Sequence, residues 1–538
     1  MSRLPWVWAS PPDEALSDLC RELEAGVLPA GREVIKENRI RSVWRIPDLA
    51  GGLLLKHYRL RAGEGLKTRL LGGRAEREYR AMESLCRVGL PSARPVAFAD
   101  RRESGRLVES WFLSGFVPDS APLSAVLLER AADSQACLDL AEQAVRLVAQ
   151  MHRHPFLHRD LHAGNLLLDS AGELIVIDMH SLWHVLRLTN RQRWDTLARL
   201  VYSMRETVSL DAAPQLAAAY ARERGDDPAA AVRSLSDSLG RFAADYVRGR
   251  TDRCMRSSTE FVTERLGGRR VHRRREYDAE MLSADISHHQ ALVESGGPLL
   301  GDARAARVSR VDAGAGPARV VKHYRRKGPL LALRSWFGRS RARGAWIQAR
   351  RCEVHGVPTP RALALAEEPG GAAWVVTTEL TGATSLREIL SSLEGRRQLG
   401  ESGALARALG HVVGRLSRAG LRHDDLSAKN VMVAPGVAAK IRDRRITPGD
   451  HIPDVQLIDL DGMRTGRPDD DADLTRMLAQ LGDLPAWITR TDRQRFASGF
   501  SASAGRGIPC EVAVRALSAA RARRERREAR LDTARPPA

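Results

Sequence analysis

The sequence predicts an α+β chain made of two tandem copies of one two-lobed unit, an antiparallel-sheet N-lobe followed by a helical C-lobe. Three observations predict it. The 538 residues exceed what one ordinary core holds. The first half reads as strands around one helix and then mostly helices. Three separated motifs also return in the same order. Leu55-Lys56-His57-Tyr58 recurs as Val321-Lys322-His323-Tyr324, and Gly89-Leu90-Pro91-Ser92 as Gly356-Val357-Pro358-Thr359. The stretch from Asp160 to Asn165 recurs from Asp425 to Asn430, each copy followed by an apolar run ending in aspartate, Asp178 or Asp459.

In chain order, a short helix is expected over 12–25, between proline-rich flanks. Strand-like runs follow at 42–46 and 53–58, joined through Gly51-Gly52 as a hairpin. A loop with Gly63, Gly65, Gly72 and Gly73 leads to a helix over 74–88. Strands at 95–99 and 106–116 precede helices at about 120–130 and 135–153. A hairpin through Leu166-Leu167-Leu168 and 174–178 and a helix near 191–206 complete the unit. The division is expected between about Arg250 and His288, giving domains 1–255 and 256–538, with part of the basic run Arg269 to Arg275 able to supply strands of the second unit. Gly314-Ala315-Gly316 reads as a hairpin turn, residues 520–530 as a charged helix or tail, and Pro536-Pro537-Ala538 as a frayed end.

A hydrophobic fraction of 43% and a charged fraction of 28% describe a soluble globular protein. There is no apolar run of about 18 residues to span a membrane, no secretory pattern at the N-terminus, and no close pair among six cysteines to suggest zinc or disulfides. These features point to the cytoplasm. The formal charge of +19 suggests an anionic partner such as a membrane surface or phosphorylated glycan, unless it only reflects free use of arginine. No basic motif interleaved with aromatics supports nucleic-acid binding. Only seven of the 85 basic residues are lysine, so lysines at matching places in two repeats look selected.

The repeated aspartates and asparagines are the residue types that phosphoryl transfer from ATP requires. Asp160 and Asp425 are the candidate catalytic bases, orienting or deprotonating an acceptor hydroxyl. Asn165, Asp178, Asn430 and Asp459 are candidate magnesium ligands, because amide and carboxylate oxygens suit that hard cation. A solvated turn is the bland alternative for such residues. Lys56 and Lys322, at strand ends upstream of a helix, are placed to reach the ATP phosphates. Glu78, with Glu76 second, is the candidate carboxylate that aligns Lys56. In the second unit the matching helix position is Ala345, so that partner is expected to be missing.

Several departures narrow the class. No glycine follows either metal aspartate, and no Gly-x-Gly-x-x-Gly precedes either lysine. No activation segment or Ala-Pro-Glu motif follows the loops, and Asp424 replaces the arginine beside the catalytic aspartate. The Lys-His-Tyr strand end, the Asp-Leu-x-x-x-Asn loop and the Ile-Asp-Leu-Asp ending resemble the lipopolysaccharide kinases of the Kdo/WaaP family, bacterial relatives of protein kinases. The His158 to Asn165 loop is also similar to that of aminoglycoside and choline phosphotransferases. The resemblance implies two protein-kinase-like domains, ATP and Mg2+ as cofactors, and a sugar hydroxyl of lipopolysaccharide core or a related envelope glycan as acceptor. It implies one site of Lys56, Asp160, Asn165 and Asp178 and another of Lys322, Asp425, Asn430 and Asp459. An anionic glycolipid acceptor would place the protein on the cytoplasmic face of the membrane. The alternatives are a small-molecule phosphotransferase, a nucleotide-binding scaffold whose second domain is regulatory, and, more weakly, a protein kinase.

Overall fold

The computed structural model describes residues 4–37, 41–49, 51–59, 73–103, 106–303, 306–312, 317–325, 340–369, 371–392, 399–434, 455–482 and 489–533. The glycines at 63, 65 and 72, the Gly314-Ala315-Gly316 turn and Pro536-Pro537-Ala538 lie outside them. The chain forms two compact units, Met1–Asp245 and Tyr246–Ala538. The sequence reading placed the division after residue 255.

The first unit opens with β1 (Trp6–Trp8), α1 (Glu14–Glu24), β2 (Glu33–Glu37), β3 (Arg41–Ile46), β4 (Leu53–Arg59), α2 (Arg74–Arg87), β5 (Pro95–Glu103) and β6 (Arg106–Gly115). Among the described residues its six strands form an antiparallel sheet in the order β1-β5-β6-β4-β3-β2. Side chains alternate across a strand, and that alternation sets what each face does. Leu53 and Leu55 of β4 join Trp44, Ile46, Trp111 and Leu113 under the apolar stripe Leu16, Leu19 and Leu23 of α1. Asp13 caps that helix, accepting from the Leu16 amide at 2.8 Å. Lys56 and Tyr58 therefore point the other way, toward α2.

The helical lobe follows with β7 (Ala121–Pro122), α3 (Leu123–Glu129), α4 (Ser134–Arg153), β8 (Phe156–His158), β9 (Leu166–Leu168), β10 (Leu174–Val176), β11 (Leu182–His184), α5 (Asn190–Ser203), α6 (Ala213–Arg224) and α7 (Pro228–Asp252), which spans the boundary. The three-residue strands β1, β8 and β11 are too short to carry a periodic signal. Their partners are remote: Val7 pairs with Phe98, and Leu157 with Trp183.

The second unit repeats the plan. It contains β12 (Phe261–Leu266), β13 (Arg269–Arg274), α8 (Ala279–Glu294), β14 (Gly301–Ala303), β15 (Ala306–Val311), β16 (Arg319–Tyr324), α9 (Arg341–Val354), β17 (Ala362–Glu367) and β18 (Ala373–Thr378). Its sheet runs β12-β13-β17-β18-β16-β15-β14, the first unit's order with β12 added outside the strand that matches β1. The basic run thus becomes strand β13. Arg274 is buried there, its guanidinium 2.5 Å from Glu353 and donating to the Ala362 carbonyl at 2.7 Å.

Then come β19 (Thr384–Ser385), α10 (Leu386–Ser392), α11 (Leu399–Arg418), β20 (Leu421–His423), β21 (Val431–Val433), β22 (Val455–Leu457), β23 (Met463–Thr465), α12 (Asp471–Leu481), α13 (Arg490–Ala504) and α14 (Cys510–Thr533). Helices α11 and α13 meet backbone to backbone. A Cβ added at Gly410 would run into the Phe496 carbonyl, and one at Gly499 into the Arg407 carbonyl. Gly410→Ala is expected to cost about 3 kcal/mol, the upper range for overpacking, in a urea titration. Gly344→Ala in α9, with open space around the new methyl, is expected to stabilise by about 0.5–1 kcal/mol.

Candidate functional site

The loop that carries Asp160 is tied down by its own backbone. The Asp160 amide donates to His158 Nδ1 at 3.3 Å, and the Arg159 amide to the Ser181 carbonyl at 3.0 Å. The Asn165 amide group donates to the Asp160 carbonyl at 2.8 Å, which leaves its oxygen as an acceptor. The Ile177 amide donates to the Asn165 carbonyl at 2.9 Å, which ties the loop to the segment that carries Asp178.

The second loop has the same bonds: Asp425 amide to His423 Nδ1 at 3.2 Å, Asn430 to the Asp425 carbonyl at 2.8 Å, and Ile458 to the Asn430 carbonyl at 3.0 Å. Asp178 (φ 59°) and Asp459 (φ 63°) both adopt the left-handed conformation, which L-residues enter at a cost and which aspartate tolerates better than most. The repeated Gly-x-Pro motif is explained here as well. The Pro91 carbonyl accepts from the Val176 amide at 3.1 Å, and the Pro358 carbonyl from the Leu457 amide at 3.0 Å, joining the end of α2 or α9 to the aspartate strand.

In the first cleft Lys56 donates to Glu78, which also accepts from the Tyr58 hydroxyl. Glu78 is fully buried and Lys56 nearly so. Glu76 instead pairs with Arg80 along the helix at 2.6 Å. Asp178 accepts from His180 Nδ1 at 2.6 Å, and Arg41 of the sheet lobe lies 3.4 Å from it. Burial works against the Asp178 charge. The His180 hydrogen bond and the charges of Lys56, His180 and Arg41 outweigh it and hold the carboxyl well below the usual carboxylate range. Asp160 is half exposed and faces Arg199 of α5 at 3.4 Å.

The second cleft uses other sources for the same charges. With Ala345 in place of a glutamate, Lys322 turns to Asp459 at 2.5 Å and stands 3.7 Å from Asp461. The helix position that Ala345 occupies supplies no carboxylate, and the partners of Lys322 come from the loop instead. Arg341 also reaches Asp461, at 2.6 Å. Burial opposes the Asp459 charge, but Lys322 and the bonds from Asp461 and Lys322 lower its pKa. Burial and, against the pull of Lys322, the neighbouring Asp459 push Asp461 up. Beside Asp425 the cation is Lys429, at 2.9 Å, from the loop itself. Arg41, Arg199, Lys429 and Asp461 were not singled out from sequence. Only the nearness of Asp461 to Asp459 and of Lys429 to Asp425 offered a signal.

The buried histidines behind the loops make a pH prediction. Burial pushes His158 down to about 4 and His152, with help from Arg224 and Arg193, to about 3. Their folded pKa values lie below the unfolded value near 6.5, so the unfolded chain takes up protons first as pH falls. Stability is therefore full above about 6.5 and is lost toward pH 4, at about 1.4 kcal/mol per pH unit for each such histidine. Melting temperatures between pH 7 and 4.5 should fall accordingly. A flat profile would contradict the neutral, buried state.

Sheet lobe, helical lobe and a cleft holding lysine, aspartates and asparagine define a kinase-like fold, built twice. The model of the lipopolysaccharide kinase (Kdo/WaaP) family matches residues 63–220 and 301–500, and the chain belongs to that family. The matched segments contain all the candidate site residues except Lys56, which lies just before the first. Two curated relatives, the 3-deoxy-D-manno-octulosonic acid kinases of Stenotrophomonas maltophilia strains K279a and R551-3, are 31% identical over 154 residues, 26% of this chain and 55% of theirs. The chain thus spans about half the length of those relatives. A solved structure titled WaaP in complex with acyl carrier protein aligns at 23% identity over 45% of this chain and 91% of that one, with a TM-score of 0.31.

Proposed function

We infer that the protein is a phosphotransferase that moves the γ-phosphoryl group of ATP to a sugar hydroxyl of lipopolysaccharide core or a related envelope glycan. The observation that carries this reading is the twice-built cleft, in which a sheet lysine and the left-handed aspartate of the helical lobe share one electrostatic neighbourhood. Asp160 and Asp425 accept or orient the proton of the acceptor hydroxyl, their side chains about half exposed and open to a substrate. Lys56, held by Glu78, presents its ammonium to the phosphates as a fixed point charge. Asn165 and Asn430 lock the loop through their amide groups and keep an oxygen for a cation.

The donor set fits magnesium. Asp178 and Asp459 are carboxylates with lowered pKa, and the residue before each is bonded to the backbone carbonyl of the loop's asparagine, Asn165 or Asn430. Magnesium takes one or two protein ligands and completes its shell from phosphate and water. Bound there, magnesium would neutralise phosphate charge.

The family and the ulosonic acid named for the two relatives support this acceptor class. The charge of +19 and the exposed Arg521, Arg523 and Arg526 of α14 favour docking on an anionic surface. No described helix is long and apolar enough to cross a membrane, so contact would be peripheral, at the cytoplasmic face. Magnesium-dependent ATP turnover should rise on adding a lipopolysaccharide core extract, with phosphate recovered on the sugar. Turnover stimulated only by soluble aminoglycosides or choline would overturn the acceptor class. Negligible binding to anionic vesicles at moderate salt would remove the docking.

A further inference from the structure

We propose that Asp461 does in the second cleft what Glu78 does in the first, so that this cleft is a working nucleotide-phosphate site whose counter-carboxylate has moved from the helix to the loop.

The two units can be compared residue by residue. Helices α2 and α9 are both 14 residues long and start from Arg74 and Arg341. The same offset carries Glu78 onto Ala345. Lys56 and Lys322 sit on matching central strands, opposite Phe112 and Val375 of the neighbouring strand. His57 and His323 beside them stack on Trp111 and Trp374, with ring planes 6° and 5° apart. The frame is therefore the same, and only the source of the carboxylate differs.

A lysine in this position needs two things. It needs a fixed carboxylate that aims it, and it must not be the sole partner of the aspartate that serves the metal. The first cleft meets both needs, with Glu78 for Lys56 and Asp178 held separately by His180 and Arg41. In the second cleft, position 180 of the first loop corresponds to Asp461. Its side chain is 4% exposed and lies between Lys322 and Arg341. Lys322 thus faces two carboxylates. When a cation engages Asp459, Asp461 remains to hold the ammonium in place. The cation beside the base shows the same exchange of sources, Arg199 from a helix in one unit and Lys429 from the loop in the other.

The proposal rests on the phosphotransferase reading but is tested by binding. Full-length protein is titrated with a non-hydrolysable ATP analogue and magnesium in a calorimeter. Wild type should take up two equivalents. Asp461→Asn should weaken one of them at least tenfold, and the double variant Asp461→Asn/Ala345→Glu should recover to within about threefold. If Asp461→Asn unfolds the second unit, the reciprocal exchange decides: Glu78→Gln should weaken the first site, and adding His180→Asp should restore it. A single equivalent in wild type, two unaltered sites in Asp461→Asn, or a failed rescue in both exchanges would overturn the proposal. Two analogue sites that behave as expected, with no phosphate reaching any sugar, would defeat the functional reading and leave this inference standing.

Discussion

Asp160→Ala is expected to slow phosphoryl transfer in the first cleft by about 10²–10⁴-fold, the range for losing a positioned general base, and Asp425→Ala is expected to do the same in the second. The side chains are 53% and 49% exposed and support no packing. Each variant should therefore melt within a degree or two of wild type, since exposed substitutions usually stay within about 0.5 kcal/mol. Each single variant should keep the turnover of the other cleft, and the double variant should keep none. ATP consumption with a core extract, measured on all four proteins, checks this. Full activity in Asp425→Ala with none in Asp160→Ala would instead make the second unit regulatory.

Glu78→Ala is expected to strike stability and function together. Lys56 and Tyr58 both donate to this carboxylate, and the group is fully buried. Removing it strands an ammonium in the interior, which costs about 3–5 kcal/mol when one partner of a buried pair is lost. For a unit of this size the melting temperature should fall by roughly 10 °C. Lys56→Met/Glu78→Leu removes both charges and should recover much of that loss, though Tyr58 then lacks its acceptor, while nucleotide binding stays weak. A double variant no more stable than Glu78→Ala would show that the pair is not held by charge.

The elements that could be read from sequence were those whose signal is local. The helices over 74–87 and 134–153 have an apolar stripe within one window, and β4 opens on the apolar run Leu53-Leu54-Leu55. Asp160 and Asn165 lie five positions apart on one loop, so a local spacing is enough to bring them together. Glu78 required only the distance from Lys56 and a helical face. What stayed hidden depends on chain segments meeting from afar. Arg41 and Asp178 are 137 positions apart, as are Lys322 and Asp459. Neither contact lies within reach of a local sequence pattern. In the second unit the missing helix carboxylate could be read by matching Ala345 to Glu78, but the loop carboxylates beside Lys322 could not, because charge balance is settled in space. Strand β2 escaped because its five residues are all exposed and show no alternation.

That strand also has a bearing on how the protein behaves in a crowded solution. Strand β2 ends the first sheet as described, and it turns Val34 and Ile35 outward, 60% and 54% exposed. Two adjacent apolar residues on an outer strand would ordinarily invite a strand from another copy. Here Glu33, Lys36 and Glu37 flank them, and the pairing with β3 slips between Val34 and Lys36. Charge, brevity and an irregular register together make the strand a poor template for cross-molecular pairing. Any variant that replaces Lys36 or Glu37 with an apolar residue should therefore remain folded and active when dilute, yet scatter light as its concentration rises.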